Sequence, residues 1–98
     1  MFANATSFNG SISKWQVSKV KSTNFMFYGA TSFNQSLNDW DVSNVEYMNN
    51  MFAYATSFNS SISQWQVSKV RSMDGMFREA TSICRMTYHR SIRSHINK

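Results

Sequence analysis

The sequence returns to itself every 25 residues. MFANATSFNGSISKWQVSKV at residues 1–20 reappears as MFAYATSFNSSISQWQVSKV at residues 51–70. A third copy lies between them. In register the units are 1–25, 26–50 and 51–75, and a fourth, 76–98, keeps the pattern only through Ser82. Twelve of the 25 columns are identical in the first three units. A fixed period in this range is the signature of stacked arrays, in which one unit cannot bury its apolar side chains alone and does so against the next. The expected architecture is therefore a repeat solenoid, with equivalent residues forming columns along its axis.

The apolar columns can be read directly. They are Phe8, Phe33 and Phe58; Ile12, Leu37 and Ile62; Trp15, Trp40 and Trp65; Val17, Val42 and Val67; Val20, Val45 and Val70; Met26, Met51 and Met76; and Phe27, Phe52 and Phe77. A small column, Ala5, Ala30, Ala55 and Ala80, lets backbones approach. Within a unit, Trp15 and Val17 alternate with polar neighbours, the period of a short strand. From Val20 through Met26, Phe27 and Ala30 the steps of three and four predict a helical or 3-10 turn. Each 25-residue coil is thus expected to carry one short parallel strand and one short helical turn. Residues 1–82 form the solenoid, and 83–98 an atypical basic tail read as a C-terminal cap over the last coil.

Recurrence of Met-Phe, Ser-Phe-Asn, Trp and Val-Ser in register gives the pattern MF..A.SFN..I..W.VS.V. It resembles the BspA-like surface-protein repeats, a leucine-rich-repeat-like class. The resemblance covers residues 1–82. It implies a right-handed superhelix, extracellular or cell-surface display, and adhesion or protein recognition in place of catalysis.

Charge narrows the function classes. The net charge of +5 is uneven, because residues 1–82 carry six basic and five acidic side chains, while the tail adds Arg85, Arg90, Arg93 and Lys98 with no acid. That small patch, outside any known module, does not predict specific nucleic-acid binding. No apolar run is long enough for membrane insertion. No signal peptide opens the chain, which starts inside the repeat and so reads as a fragment of a longer array. The single cysteine, Cys84, allows no internal disulfide.

Candidate sites are few. The Asn9, Asn34 and Asn59 column is expected to bond the backbone of neighbouring coils; the competing reading, which excludes this one at any one side chain, is glycosylation, since these residues match the acceptor sequon, as does Asn4. The Trp15, Trp40 and Trp65 column is expected to be internal, with each indole N–H on a loop carbonyl, ahead of a stacking platform for sugars or bases. Thr6, Thr31, Thr56 and Thr81 read as turn hydroxyls. Asp39 and Asp41 flank Trp40 and read as a solvated edge ahead of a calcium site. Cys84, His89 and His95 lack the spacing of a zinc site. No histidine lies in residues 1–82, so no triad forms there and the chain is expected not to be an enzyme. No cofactor is expected. Partners are expected to be protein or glycan surfaces, with end-to-end self-association. A spacer without a binding face is the competing expectation. It draws on the alternation of Lys14, Lys19 and Lys21 with Asp39, Asp41 and Glu46, then Lys69 and Arg71, which attracts neighbouring coils.

Overall fold

The computed structural model describes residues 2–83, and the tail from Cys84 to Lys98 lies outside the described residues. Successive units lie on one another with equivalent residues adjacent. Two parallel bridges record the register: Ser22 pairs with Tyr47, and Tyr47 with Ser72. Between units, alternate amides donate forward to the carbonyl twenty-four residues on. Thr23 reaches Tyr47 (2.9 Å), Phe25 reaches Asn49 (2.9 Å), Phe27 reaches Met51 (2.8 Å) and Gly29 reaches Ala53 (2.8 Å). The next unit repeats this from Met48, Asn50, Phe52 and Tyr54 to Ser72, Asp74, Met76 and Arg78.

Local structure departs from the spacing in two places. The helical turn predicted after Val20 is a run of turns, and no α- or 3-10 helix occurs among the described residues. The alternation of amides explains this. Met26, Tyr28 and Ala30 donate to carbonyls three residues back in their own unit, while the amides between them leave for the next unit. A helix needs every amide in succession for its own ladder. The strand predicted around Trp15 and Val17 is not paired there. Trp15 N–H turns back to Ile12 O (3.1 Å) and Val20 N–H to Val17 O (3.0 Å), and the bridges between described residues fall at the column of Ser22.

Left-handed backbone recurs in register too. Asn4, Gly29, Tyr54 and Glu79 have φ of 61, 69, 61 and 55°, and Phe25, Asn50 and Gly75 have 59, 55 and 64°. Only glycine takes this conformation freely, and asparagine tolerates it. Gly29 shows why the column is tight. A Cβ there would stand 2.6 Å from Asn4 Oδ1, and one on Gly75 the same distance from Asn50 Oδ1.

The core is built from the repeated columns. Phe2, Phe27, Phe52 and Phe77 stack at centroid spacings of 5.4, 5.4 and 5.7 Å. Phe8, Phe33 and Phe58 form a second stack at 5.8 and 5.9 Å. The two stacks face each other, Phe27 against Phe33 at 4.4 Å and Phe52 against Phe58 at 4.2 Å. Leu37, Ile62, Met48, Met51 and Met76 complete the buried interior. Burial of this many phenylalanines is the main stabilising contribution, each worth roughly 1.5–3 kcal/mol. Thr23, the one buried polar residue among the described core, bonds its hydroxyl to Met51 Sδ at 3.2 Å. Among the described residues no buried side-chain nitrogen or oxygen lacks a partner.

Candidate recognition surface

The tryptophan column divides sharply. Trp40 and Trp65 are 4% and 1% exposed, and their indole N–H groups donate to Ile12 O at 2.9 Å and Leu37 O at 2.8 Å in the unit before. Trp15 is 43% exposed, and its indole N–H has no acceptor among the described residues. It lines a surface groove of about 350 Å³ whose other walls include Lys14, Gln16, Asp39 and Asp41. Phe2 packs against Trp15 at 5.5 Å.

The asparagine column forms a chain of side-chain to backbone bonds. Asn9 Oδ1 accepts from Asn34 N–H at 2.7 Å, and Asn34 Oδ1 accepts from Asn59 N–H at 2.7 Å. Gln35 and Ser60 add bonds to the carbonyls of Asn9 and Asn34. All three asparagines are exposed. These bonds use Oδ1, whereas a glycan attaches at Nδ2, so the two readings that the sequence set against each other engage different atoms of the side chain. A parallel chain was not legible in advance. Asn24 Oδ1 accepts from Asn49 N–H, and Asn49 Oδ1 from Asp74 N–H, at 2.7 and 2.8 Å. The Asn, Asn, Asp identities of that column are its only signal in the sequence.

Charge on the variable columns forms one ion pair between units among the described residues. Arg71 Nε lies 3.4 Å from Glu46 Oε1, the single ion pair among the described residues. Solvent screening leaves such an exposed pair worth at most about 1 kcal/mol. Lys69 Nζ donates to Asn44 Oδ1 at 3.0 Å in another column. Asp41 is turned onto its own loop. Its carboxylate accepts from Ser43 Oγ at 2.6 Å and Ser43 N–H at 3.1 Å, and these bonds, the hydroxyl first, hold it below the ordinary aspartate range. Among the described residues no three His, Cys, Asp or Glu side chains gather as metal ligands. Cys84, His89 and His95 lie outside the described residues. Thr31 Oγ1 donates to Thr6 O at 3.3 Å.

An aromatic row that the sequence columns did not reveal runs over the left-handed positions. Phe25 is 48% exposed and Tyr54 40%, with Tyr28 between them. Phe25 and Tyr28 rings lie 5.5 Å apart, and Tyr28 and Tyr54 5.4 Å. They come from three different columns, which is why column-by-column reading missed them. Holding an aromatic side chain at positive φ costs roughly 1–2 kcal/mol.

No helix among the described residues is long and apolar enough to cross a membrane. The chain has no match among curated proteins or solved structures. The repeat that organises this core and surface spans most of the sequence, and residues 1–89 match the family described as Mycoplasma protein of unknown function, DUF285, to which the chain belongs.

Proposed function

We propose that the chain is a non-enzymatic solenoid module, a segment of a longer array, which displays a recognition surface for a protein or glycan ligand at the cell exterior. The observation that carries this reading is the exposed row of Phe25, Tyr28 and Tyr54. Two of its members sit in backbone positions where glycine or asparagine stands in other units. Bulky residues kept at strained, exposed positions are most readily accounted for by a use at the surface. Large exposed aromatic side chains supply the anchors of many binding interfaces. The register of the stacked units supports the solenoid, and the resemblance to BspA-like leucine-rich-repeat surface proteins supports a right-handed superhelix and display. The test is binding to arrays of immobilised glycans and surface proteins, comparing the chain with Phe25→Asn and Tyr54→Asn. Binding lost in these variants, with the thermal melt unchanged or raised, supports the reading. Binding that survives both substitutions overturns it.

A spacer without its own binding face is the second reading. The Glu46–Arg71 pair favours it, because charge in the variable columns is then spent on neighbouring units. The absence of any ligand in the same arrays supports the spacer.

A further inference from the structure

The three asparagines of the Asn9 column share one arrangement but differ in the residue that follows. Asn9 precedes Gly10, Asn34 precedes Gln35 and Asn59 precedes Ser60. No other asparagine in the sequence stands before a glycine. Asn9 and Gly10 are exposed. Asn34 and Asn59, each with a unit before it, are exposed as well, so the openness of the column does not depend on what precedes the first unit. The Gly10 N–H has no acceptor among the described residues, and neither do the N–H groups of Gln35 and Ser60.

The second unit supplies two donors to Asn9. Asn34 N–H donates to Asn9 Oδ1 at 2.7 Å, and Gln35 Nε2 donates to Asn9 O at 2.9 Å. The second of these oxygens belongs to the peptide group whose nitrogen is that of Gly10. When that nitrogen loses its proton, amide resonance spreads the negative charge onto Asn9 O, where the Gln35 donor meets it. When the nitrogen then adds to the Asn9 side-chain carbonyl, charge develops on Oδ1, where the Asn34 amide already points. Donors set in advance where charge will appear lower the barrier to such a step. The remaining requirement is freedom of approach. Without a Cβ, Gly10 has the widest range of backbone angles from which its nitrogen can reach the side chain before it.

We infer that Asn9 is a self-modifying site, at which the side chain cyclises onto the Gly10 amide. Solvent base takes the Gly10 amide proton. A bond forms between Gly10 N and Asn9 Cγ, the Cγ–Nδ2 bond breaks, and Nδ2 leaves as ammonia with a proton from water. The product is a five-membered succinimide. Water opens it at either carbonyl, giving aspartate or isoaspartate with no change in oxidation state. Asn34 has the same kind of donors, Asn59 N–H on its Oδ1 (2.7 Å) and Ser60 Oγ on its carbonyl (2.9 Å), but Gln35 follows it and withholds the freedom of approach. Conversion changes the surface. Residues 3–13, 28–38 and 53–63 contain no charged side chain, so the new carboxylate is the first charge in these stacked stretches. It also removes Nδ2, the atom to which a glycan attaches at this sequon. The inference goes beyond the recognition reading and is independent of the aromatic row and its ligand.

The test is peptide mapping by mass spectrometry of the full 98-residue chain, incubated folded at mildly alkaline pH, with isoaspartate detected by enzymatic methylation. Aspartate and isoaspartate accumulate at Asn9, faster as the pH rises, while Asn34 and Asn59 remain amides. Gly10→Gln, which copies the second unit, brings Asn9 down to the level of Asn34. Gln35→Ala slows conversion at Asn9 by about two- to tenfold, the rate equivalent of one hydrogen bond. Gln35→Ser, which copies the third unit and keeps a donor, restores the rate. In guanidinium chloride, where the units no longer stack, the parent and Gln35→Ala convert at the same rate. Three results overturn the inference: an Asn9 that stays intact, conversion at Asn34 as fast as at Asn9, or a folded Gln35→Ala chain that converts as fast as the parent.

Discussion

Trp40 reaches back twenty-eight positions to donate its indole N–H to the carbonyl of Ile12 at 2.9 Å, in a site that excludes water. The bond ties one unit to the one before. Trp40→Phe removes the donor and leaves Ile12 O with Trp15 N–H as its remaining partner, so the loss is that of one hydrogen bond, about 0.5–1.5 kcal/mol. Trp15→Phe, at the exposed member of the column, is expected to change stability by less than about 0.5 kcal/mol. Urea unfolding of the two variants checks the contrast. Equal losses would mean that the indole bond contributes nothing beyond ring packing.

Asn34 works in both directions along its column, through its amide to Asn9 and its Oδ1 to Asn59 and Ser60. Asn34→Ala removes the acceptor and is expected to cost about 1 kcal/mol. Asn34→Asp keeps an acceptor in place and retains most of that stability at neutral pH. The midpoints of denaturant unfolding for the two substitutions separate the bond from the mere presence of a polar side chain.

Glu79 holds φ of 55° on an exposed side chain. Glu79→Gly releases that strain and is expected to raise stability by about 1 kcal/mol. Gly29→Ala moves the opposite way, since its new Cβ meets both a left-handed backbone and Asn4 Oδ1. Thermal melts of the pair should shift in opposite directions. A rise for both would show that these columns are not held left-handed in solution.

Asp41 titrates below the ordinary aspartate value because Ser43 donates twice to its charged form. A depressed pKa in the folded state contributes stability that is present above the unfolded pKa. That contribution is lost as pH falls through the lowered folded value. Ser43→Ala removes the hydroxyl, the larger of the two causes, and should move the carboxyl upward toward its usual range. Carbon-detected NMR titration of the Asp41 carboxyl measures this directly.

The period and the columns that pair neighbouring units were legible in residues such as Phe27, Phe52, Trp40 and Met51, although burial does not repeat in every unit, since Trp15 is exposed and Phe8, Val20, Met26 and Phe77 are half-buried. The local conformations were not. Spacings of three and four from Val20 to Ala30 read as a helical turn, yet they arise from alternating amides that leave the unit at Thr23, Phe25, Phe27 and Gly29. Side-chain periodicity cannot distinguish the two, since both bring every third or fourth side chain inward. Gly29 and Gly75, with Asn4 and Asn50, held the clue to left-handed columns. The residues standing beside them in those columns, Phe25, Tyr54 and Glu79, concealed it. The surface row Phe25, Tyr28 and Tyr54 escaped notice for a related reason, since it crosses columns and is assembled only when the units stack.

Stacking in a register of twenty-five underlies everything above, and through-hydrogen-bond scalar coupling by NMR tests it most directly. The amides of Thr23, Phe25, Phe27 and Gly29 should show couplings to the carbonyl carbons of Tyr47, Asn49, Met51 and Ala53 respectively. Couplings from those amides to carbonyls of their own unit, or their rapid exchange with solvent, would contradict the account.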